Sequence, residues 1–216
     1  MKIKGQLVRS LAPVAGELAI DIIDQTALPH AYRLLRLHSL DAAAHAIRVM
    51  QVRGAPLIGV TAAYGLAMAL HQDACDDALN EAVTLLGATR PTAVNLHWAL
   101  ARMQSLLHPL PVAQRAAAAW QEATRIAEED AEQCRCIGEH GLNHLRTLPK
   151  KASRLNLMTH CNAGWLATID YGTALAPIYA AADAGLDVHV WVSETRPRFQ
   201  RLLTAWELNR LGIAHT

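Results

Sequence analysis

The chain has 216 residues, enough for one large domain or two small ones with a real core. Hydrophobic residues make up 52% of it but aromatics only 5%, and alanine and leucine supply much of the rest, which favours helices over a β-sandwich. A formal charge of +1 gives no net field toward nucleic acid or an anionic membrane surface, so any anion must be held by a local cluster.

Two β-prone runs, residues 18–24 and 31–37, flank the turn-like Gln25-Thr26-Ala27-Leu28-Pro29-His30 and predict a small hairpin. Ser39 offers an N-cap for a helix over 41–52. Arg53-Gly54-Ala55-Pro56 breaks that helix and starts another over 57–71, with Pro56 where a missing N–H costs nothing. Helical patterns follow over 78–86 and, after Arg90-Pro91-Thr92, over 93–107. Pro109 and Pro111 precede a long alanine-rich helix over 112–148, with a bend expected near Gly138 or Gly141.

At Leu148-Pro149-Lys150-Lys151 the texture changes. Residues 154–159 read as a buried strand, 164–184 as a turn and helix closed by Gly185, and 188–192 as a second strand. A helix over 203–211 and the approach to a third strand at 212–216 complete the start of a βαβ series. The expected fold is therefore α/β: a mainly helical N-terminal domain, 1–150, with a small β element, then the first part of a Rossmann-like parallel sheet, 151–216. A complete sheet of that kind needs more strands, so a C-terminally truncated chain is expected.

The four cysteines, Cys75, Cys134, Cys136 and Cys161, show no C-x-x-C pair and no metal spacing. Cys134 and Cys136 diverge on a helix, and the pair His140 and His144 has no third ligand. The acidic run Glu128, Glu129, Asp130, Glu132 reads most simply as a solvated helix face. The first seven residues hold no signal-like apolar run, and residues 57–70 fall short of the roughly 20 apolar residues of a membrane span. Free thiols in a reducing cytoplasm are the expectation.

Cys161 lies two residues past a predicted strand, where ligands bind in open α/β sheets, and Asn162-Ala163-Gly164 lets the backbone approach a ligand. A lone cysteine is as often a small buried hydrophobe, so position alone leaves the two readings balanced. Arg53-Gly54-Ala55, at a break between helices, suits a phosphate, but an isolated R-G-A is more often a solvated arginine beside a C-cap glycine. Arg90 is either part of a helix terminator or a guanidinium held for an oxyanion. The loop Ser193-Glu194-Thr195-Arg196-Pro197-Arg198-Phe199-Gln200 should open on the same sheet edge as Cys161; it offers two arginines to a phosphate, or pairs Glu194 with Arg196.

These segments together resemble the methylthioribose-1-phosphate isomerase family of methionine salvage. The matching runs are Arg53-Gly54-Ala55-Pro56-Leu57-Ile58-Gly59, Arg90-Pro91-Thr92-Ala93-Val94-Asn95-Leu96 and Thr159-His160-Cys161-Asn162-Ala163-Gly164, with Gly172-Thr173-Ala174-Leu175, Glu194-Thr195-Arg196-Pro197-Arg198 and Leu203-Thr204-Ala205-Trp206-Glu207-Leu208. The wider family includes ribose-1,5-bisphosphate isomerase and the regulatory subunits of translation initiation factor 2B.

The resemblance implies an aldose-ketose isomerase acting on S-methyl-5-thioribose 1-phosphate, a homodimer with no metal or other cofactor, no nucleic-acid partner and no membrane. It assigns Cys161 as the catalytic cysteine and Arg53, Gly54, Ala55, Arg90 and Gln200 as substrate contacts. The alternative is a non-catalytic sugar-phosphate-binding or regulatory module of the initiation factor kind. The family's acid catalyst, an aspartate, and an Asn-Lys pair would fall beyond Thr216. Ser193 stands where the family usually has Asp, and Gln200 runs into Arg201 one residue short of the family pattern.

Overall fold

The computed structural model describes residues 1–3, 6–148, 154–195 and 200–216, with backbone alone at 2, 3, 6 and 200. Two short antiparallel strands, β1 (Lys2–Ile3) and β2 (Gln6–Leu7), open the chain. Packing then gathers the residues into two compact units. A sheet unit takes in Met1–Ser10, Ala27–Ala31 and Asp130–Thr216; a helical unit takes in Leu11–Thr26 and Tyr32–Glu129.

In the helical unit, β3 (Leu11–Pro13), β4 (Ile20–Ile23) and β5 (Leu34–Leu37) form an antiparallel sheet in that order, with Ile20 opposite Leu37. The expected hairpin is present, shorter than its β-prone runs, and β3 is an addition. A three-residue strand ending in proline has little periodicity to read, and its edge position spares Pro13 a ladder bond.

The helix α1 (Leu40–Arg48) starts as expected, with Ser39 Oγ accepting the Ala42 N–H at 3.1 Å. It stops four residues early, just before Met50 turns left-handed at φ 68°. Next comes α2 (Ala55–Gln72), with Pro56 in its first turn. Leu57, Val60, Tyr64, Leu66 and Leu70 are all buried, so α2 is the central helix of this unit, apolar on every side. Each such side chain contributes about 2 kcal/mol of burial. Around it pack α1, α3 (Asp76–Gly87) and α4 (Val94–Leu107). Gly59 lets α4 close: a Cβ there would stand 2.7 Å from the Asn95 carbonyl oxygen.

The helix α5 (Val112–Thr147) runs unbroken from one unit into the other, so the expected bend at Gly138 or Gly141 marks no interruption. Those glycines also make room. A Cβ on Gly138 would lie 3.2 Å from the Ala176 carbonyl oxygen, and one on Gly141 would overlap the Pro177 ring. The acidic run is also more than a solvated face. Glu129 pairs with Arg102 at 2.5 Å, and Asp130 accepts the Ile169 N–H at 2.7 Å.

The sheet unit is built from β6 (Leu155–His160), a 3₁₀ turn at Trp165–Ala167, α6 (Ala176–Asp183), β7 (Val188–Ser193), α7 (Gln200–Arg210) and β8 (Ala214–His215). Its strands are parallel in the order β6-β7-β8, in register from Leu155 opposite Val188 to His160 opposite Ser193. Both crossover helices, α6 and α7, pack on β7. Met158 and Trp191, opposite each other, are 74% and 48% exposed, so one face of this sheet is open to solvent. The class is α/β, as the sequence predicts. Among the described residues no helix is long and apolar enough to cross a membrane.

Candidate active site

Because β6 and β7 are in register to their last residues, Cys161 and Glu194 leave the sheet side by side. His160 Nδ1 lies 2.6 Å from Ser193 Oγ at that edge. Two buried hydroxyls there, Thr159 Oγ1 and Thr195 Oγ1, have no hydrogen-bond partner among the described residues. Orphaned polar atoms are uncommon in native interiors, and this edge is where a parallel sheet binds its ligand. The loop arginines Arg196 and Arg198 lie outside the described residues. Glu194 pairs with Arg201 at 3.3 Å.

Cys161 adopts φ 67°, a left-handed conformation that costs a non-glycine residue about 1–2 kcal/mol. The turn around it is held from α7. Thr204 Oγ1 donates to the Cys161 carbonyl at 3.0 Å, and the Asn162 side-chain amide donates to Thr204 Oγ1 at 3.2 Å and to Glu207 Oε2 at 3.3 Å. Glu207 also accepts the Leu166 N–H at 2.7 Å and the Tyr179 hydroxyl at 3.0 Å. The turn has no room for a side chain at Gly164, where a Cβ would overlap Glu207 Oε2.

Glu207 is 0% exposed. Burial pushes its carboxyl up from 4.5 to about 8, against the opposing pull of the Leu166 N–H, the Tyr179 hydroxyl and the Asn162 amide. Tyr179, buried beside it, is likewise raised well above its ordinary value. An acid raised by burial beneath a left-handed, thiol-bearing turn marks this as a candidate site. By contrast Cys134 is buried in α5, and burial pushes its thiol up to about 12, which leaves it inert.

The helical unit places Arg53, Gly54, Ala55 and Arg90 at or just before the starts of two packed helices, α2 and α4. Gly54, at φ 91°, is the N-cap of α2, and Ala93 is the N-cap of α4; neither supplies a side-chain cap. Gly59, in the second turn of α2, packs against Asn95 in the first turn of α4, so the two uncapped N-termini lie near this contact. Arg53, only 7% exposed, leads into the first. Arg90 precedes the second, and its Nη1 is buried with no hydrogen-bond partner among the described residues. A buried guanidinium beside two helix N-termini is suited to a phosphate. Arg53 is therefore not a solvated arginine beside a C-cap glycine, and Gly54 opens a helix rather than closing one.

Gln200 is the first residue of α7, the helix whose Thr204 and Glu207 hold the Cys161 turn; its side chain lies outside the description. Among the described residues no group of three His, Cys, Asp or Glu side chains is placed to hold a metal ion. Sequence reading missed the roles of Asn162, Thr204, Tyr179 and Glu207. The available signal was a glutamate set between the apolar Trp206 and Leu208, since unpaired acids are rarely fully buried.

A parallel sheet with a thiol at the end of its first strand, following a helical unit in which two helix N-termini lack side-chain caps, defines an α/β protein. A sequence model of the Initiation factor 2 subunit family (IF-2B) matches residues 51–216, and the chain belongs to that family. It is 63% identical over 217 residues to a protein named methylthioribose-1-phosphate isomerase from Dechloromonas aromatica, and 52% identical over 224 residues to one of that name from Rhodospirillum rubrum. All of this chain is matched in both, but it spans only 60% and 57% of their lengths. Among solved structures, 5-methylthioribose 1-phosphate isomerase from Pyrococcus horikoshii superposes with a TM-score of 0.84 at 33% identity, over 98% of this chain and 60% of that one. The delta subunit of translation initiation factor eIF-2B from A. fulgidus gives 0.81 at 36% identity, over 97% and 62%.

Proposed function

We propose that the protein is an aldose-ketose isomerase converting S-methyl-5-thioribose 1-phosphate to S-methyl-5-thioribulose 1-phosphate. The observation that carries this reading is the Cys161 turn: a left-handed thiol at a ligand-binding sheet edge, in a chain 63% identical to a relative named for that reaction. A binding module has no need of a thiol there. The second reading, a regulatory module, draws on the A. fulgidus subunit, and turnover separates the two.

The substrate carries its phosphate on the anomeric oxygen, so it cannot open to a free aldehyde. The C1 to ring-oxygen bond must break with the phosphate still on C1, the ring oxygen gaining a proton. Hydrogen then moves from C2 to C1, and the C2 hydroxyl gives up its proton to become the ketone. Atoms and electrons balance within the one molecule, so no external oxidant enters. Arg53, the Gly54 and Ala55 backbone, and Arg90 bind the phosphate through guanidinium and helix N–H groups. Cys161 works at the transferring hydrogen, and Gln200 contacts the sugar.

The remaining assignments follow the same reading: a cytoplasmic homodimer with a small sugar phosphate as its ligand, no cofactor and no nucleic-acid partner, and a helical domain at 1–150 before the catalytic domain from 151. The test is to supply methylthioribose 1-phosphate and follow ketose formation. The 216-residue chain is assayed alone and joined to the C-terminal segment of the Dechloromonas aromatica relative. Turnover by the joined chain supports the isomerase. Binding of the sugar phosphate without turnover supports the regulatory module.

A further inference from the structure

We propose that Glu207 is the positioning residue of the Cys161 thiol, acting through Asn162 and Thr204 on the backbone turn that presents the sulfur; this rests on reading Cys161 as the reacting thiol. The groups bonded to Glu207 among the described residues are neutral donors: a backbone N–H, a phenol and an amide. A fully buried carboxyl without a cation is costly, and a side chain kept only for packing on α7 would be apolar. What the carboxyl supplies is two acceptors, and the geometry uses both.

The direction of the chain of hydrogen bonds is fixed at its far end. The Cys161 carbonyl only accepts, so Thr204 Oγ1 donates its one proton there. Thr204 can then only accept from Asn162, which must turn its amide nitrogen toward it. The second hydrogen of that nitrogen goes to Glu207 Oε2, while Oε1 takes the Leu166 N–H. Oε2 keeps a lone pair for Asn162 whether or not it is protonated, because a proton on it can turn to the Tyr179 oxygen. A glutamine has one carbonyl oxygen, and it cannot serve Leu166 and Asn162 together. Glu207→Gln therefore breaks the chain at its root with almost no change of shape, and Thr204→Val breaks it at the last link.

Alkylation of each cysteine by iodoacetamide in the intact chain, resolved by peptide mass spectrometry, reads the effect directly. In Glu207→Gln and Thr204→Val the rate at Cys161 should change at least about fivefold, the equivalent of about 1 kcal/mol for one hydrogen bond. Cys75, which caps α3 in the helical unit, should keep its rate. Thr204→Ser, with its hydroxyl retained, should restore the Cys161 rate. An unchanged Cys161 rate in both variants overturns the proposal, and so does acceleration of Cys75 and Cys161 together, which would mean a loosened fold. Alkylation needs no sugar phosphate. A Cys161→Ser protein that still turned over would remove the isomerase role of the thiol and leave this result standing.

Discussion

Glu207 Oε2 fills the space that a side chain on Gly164 would need, so one turn is closed from above by a missing Cβ and from below by a carboxyl. Gly164→Ala should lower the unfolding free energy by about 1–3 kcal/mol, the usual cost of an overpacked core. Glu207→Asp, one methylene shorter, draws the carboxyl back. A double-mutant cycle in urea unfolding should therefore return a favourable coupling of about 1 kcal/mol. Strict additivity would mean the two residues do not meet.

The raised carboxyl of Glu207 gives stability a defined dependence on pH. Folded, it keeps its proton up to about 8; unfolded, it loses it near 4.5. Its contribution is whole below the unfolded value and is lost as pH climbs through the folded one. Asp130 is raised as well, while Glu129 and Glu132 are lowered and act in the opposite sense, so the comparison must be with Glu207→Gln. The stability of the native chain relative to that variant should fall steadily between about pH 5 and about pH 9 in urea titrations. A flat difference would contradict the burial of an ionisable acid at this position.

Arg53 and Arg90 carry the anion-binding expectation. Arg90→Ala and Arg53→Ala should each weaken the binding of methylthioribose 1-phosphate by about tenfold or more, in line with the worth of a hydrogen bond to a charged group. Arg90→Lys should recover only part of that, because an ammonium is a point charge where the guanidinium is a planar fork. Titration calorimetry measures all three. Unchanged affinity would leave the two bare helix N-termini of α2 and α4 without the assigned ligand.

How far the sequence announced this structure depends on whether its signals were local. Ser39 as a cap and Pro56 in a first turn act within a few residues, and both appear as read; β6 and β7 are strands where their apolar runs lie, but β6, expected to be buried, leaves Met158 74% exposed because one face of the sheet is open. β3 was too short and too proline-bound to show a period. That Ala176 and Pro177, more than thirty residues on, need the missing side chains of Gly138 and Gly141 is not visible in the sequence. Cys161 was visible from its place after a strand. Glu207 was not, because its partners Asn162, Leu166 and Tyr179 lie between 28 and 45 positions away.

The most direct test of the account is the turnover of methylthioribose 1-phosphate by the chain joined to a relative's C-terminal segment, with and without the thiol. Cys161→Ser should lower kcat by at least about a hundredfold, the scale of a lost proton-transfer or nucleophilic group, with KM nearly unchanged. A serine variant that keeps the native kcat would contradict the assignment of Cys161 as the reacting group.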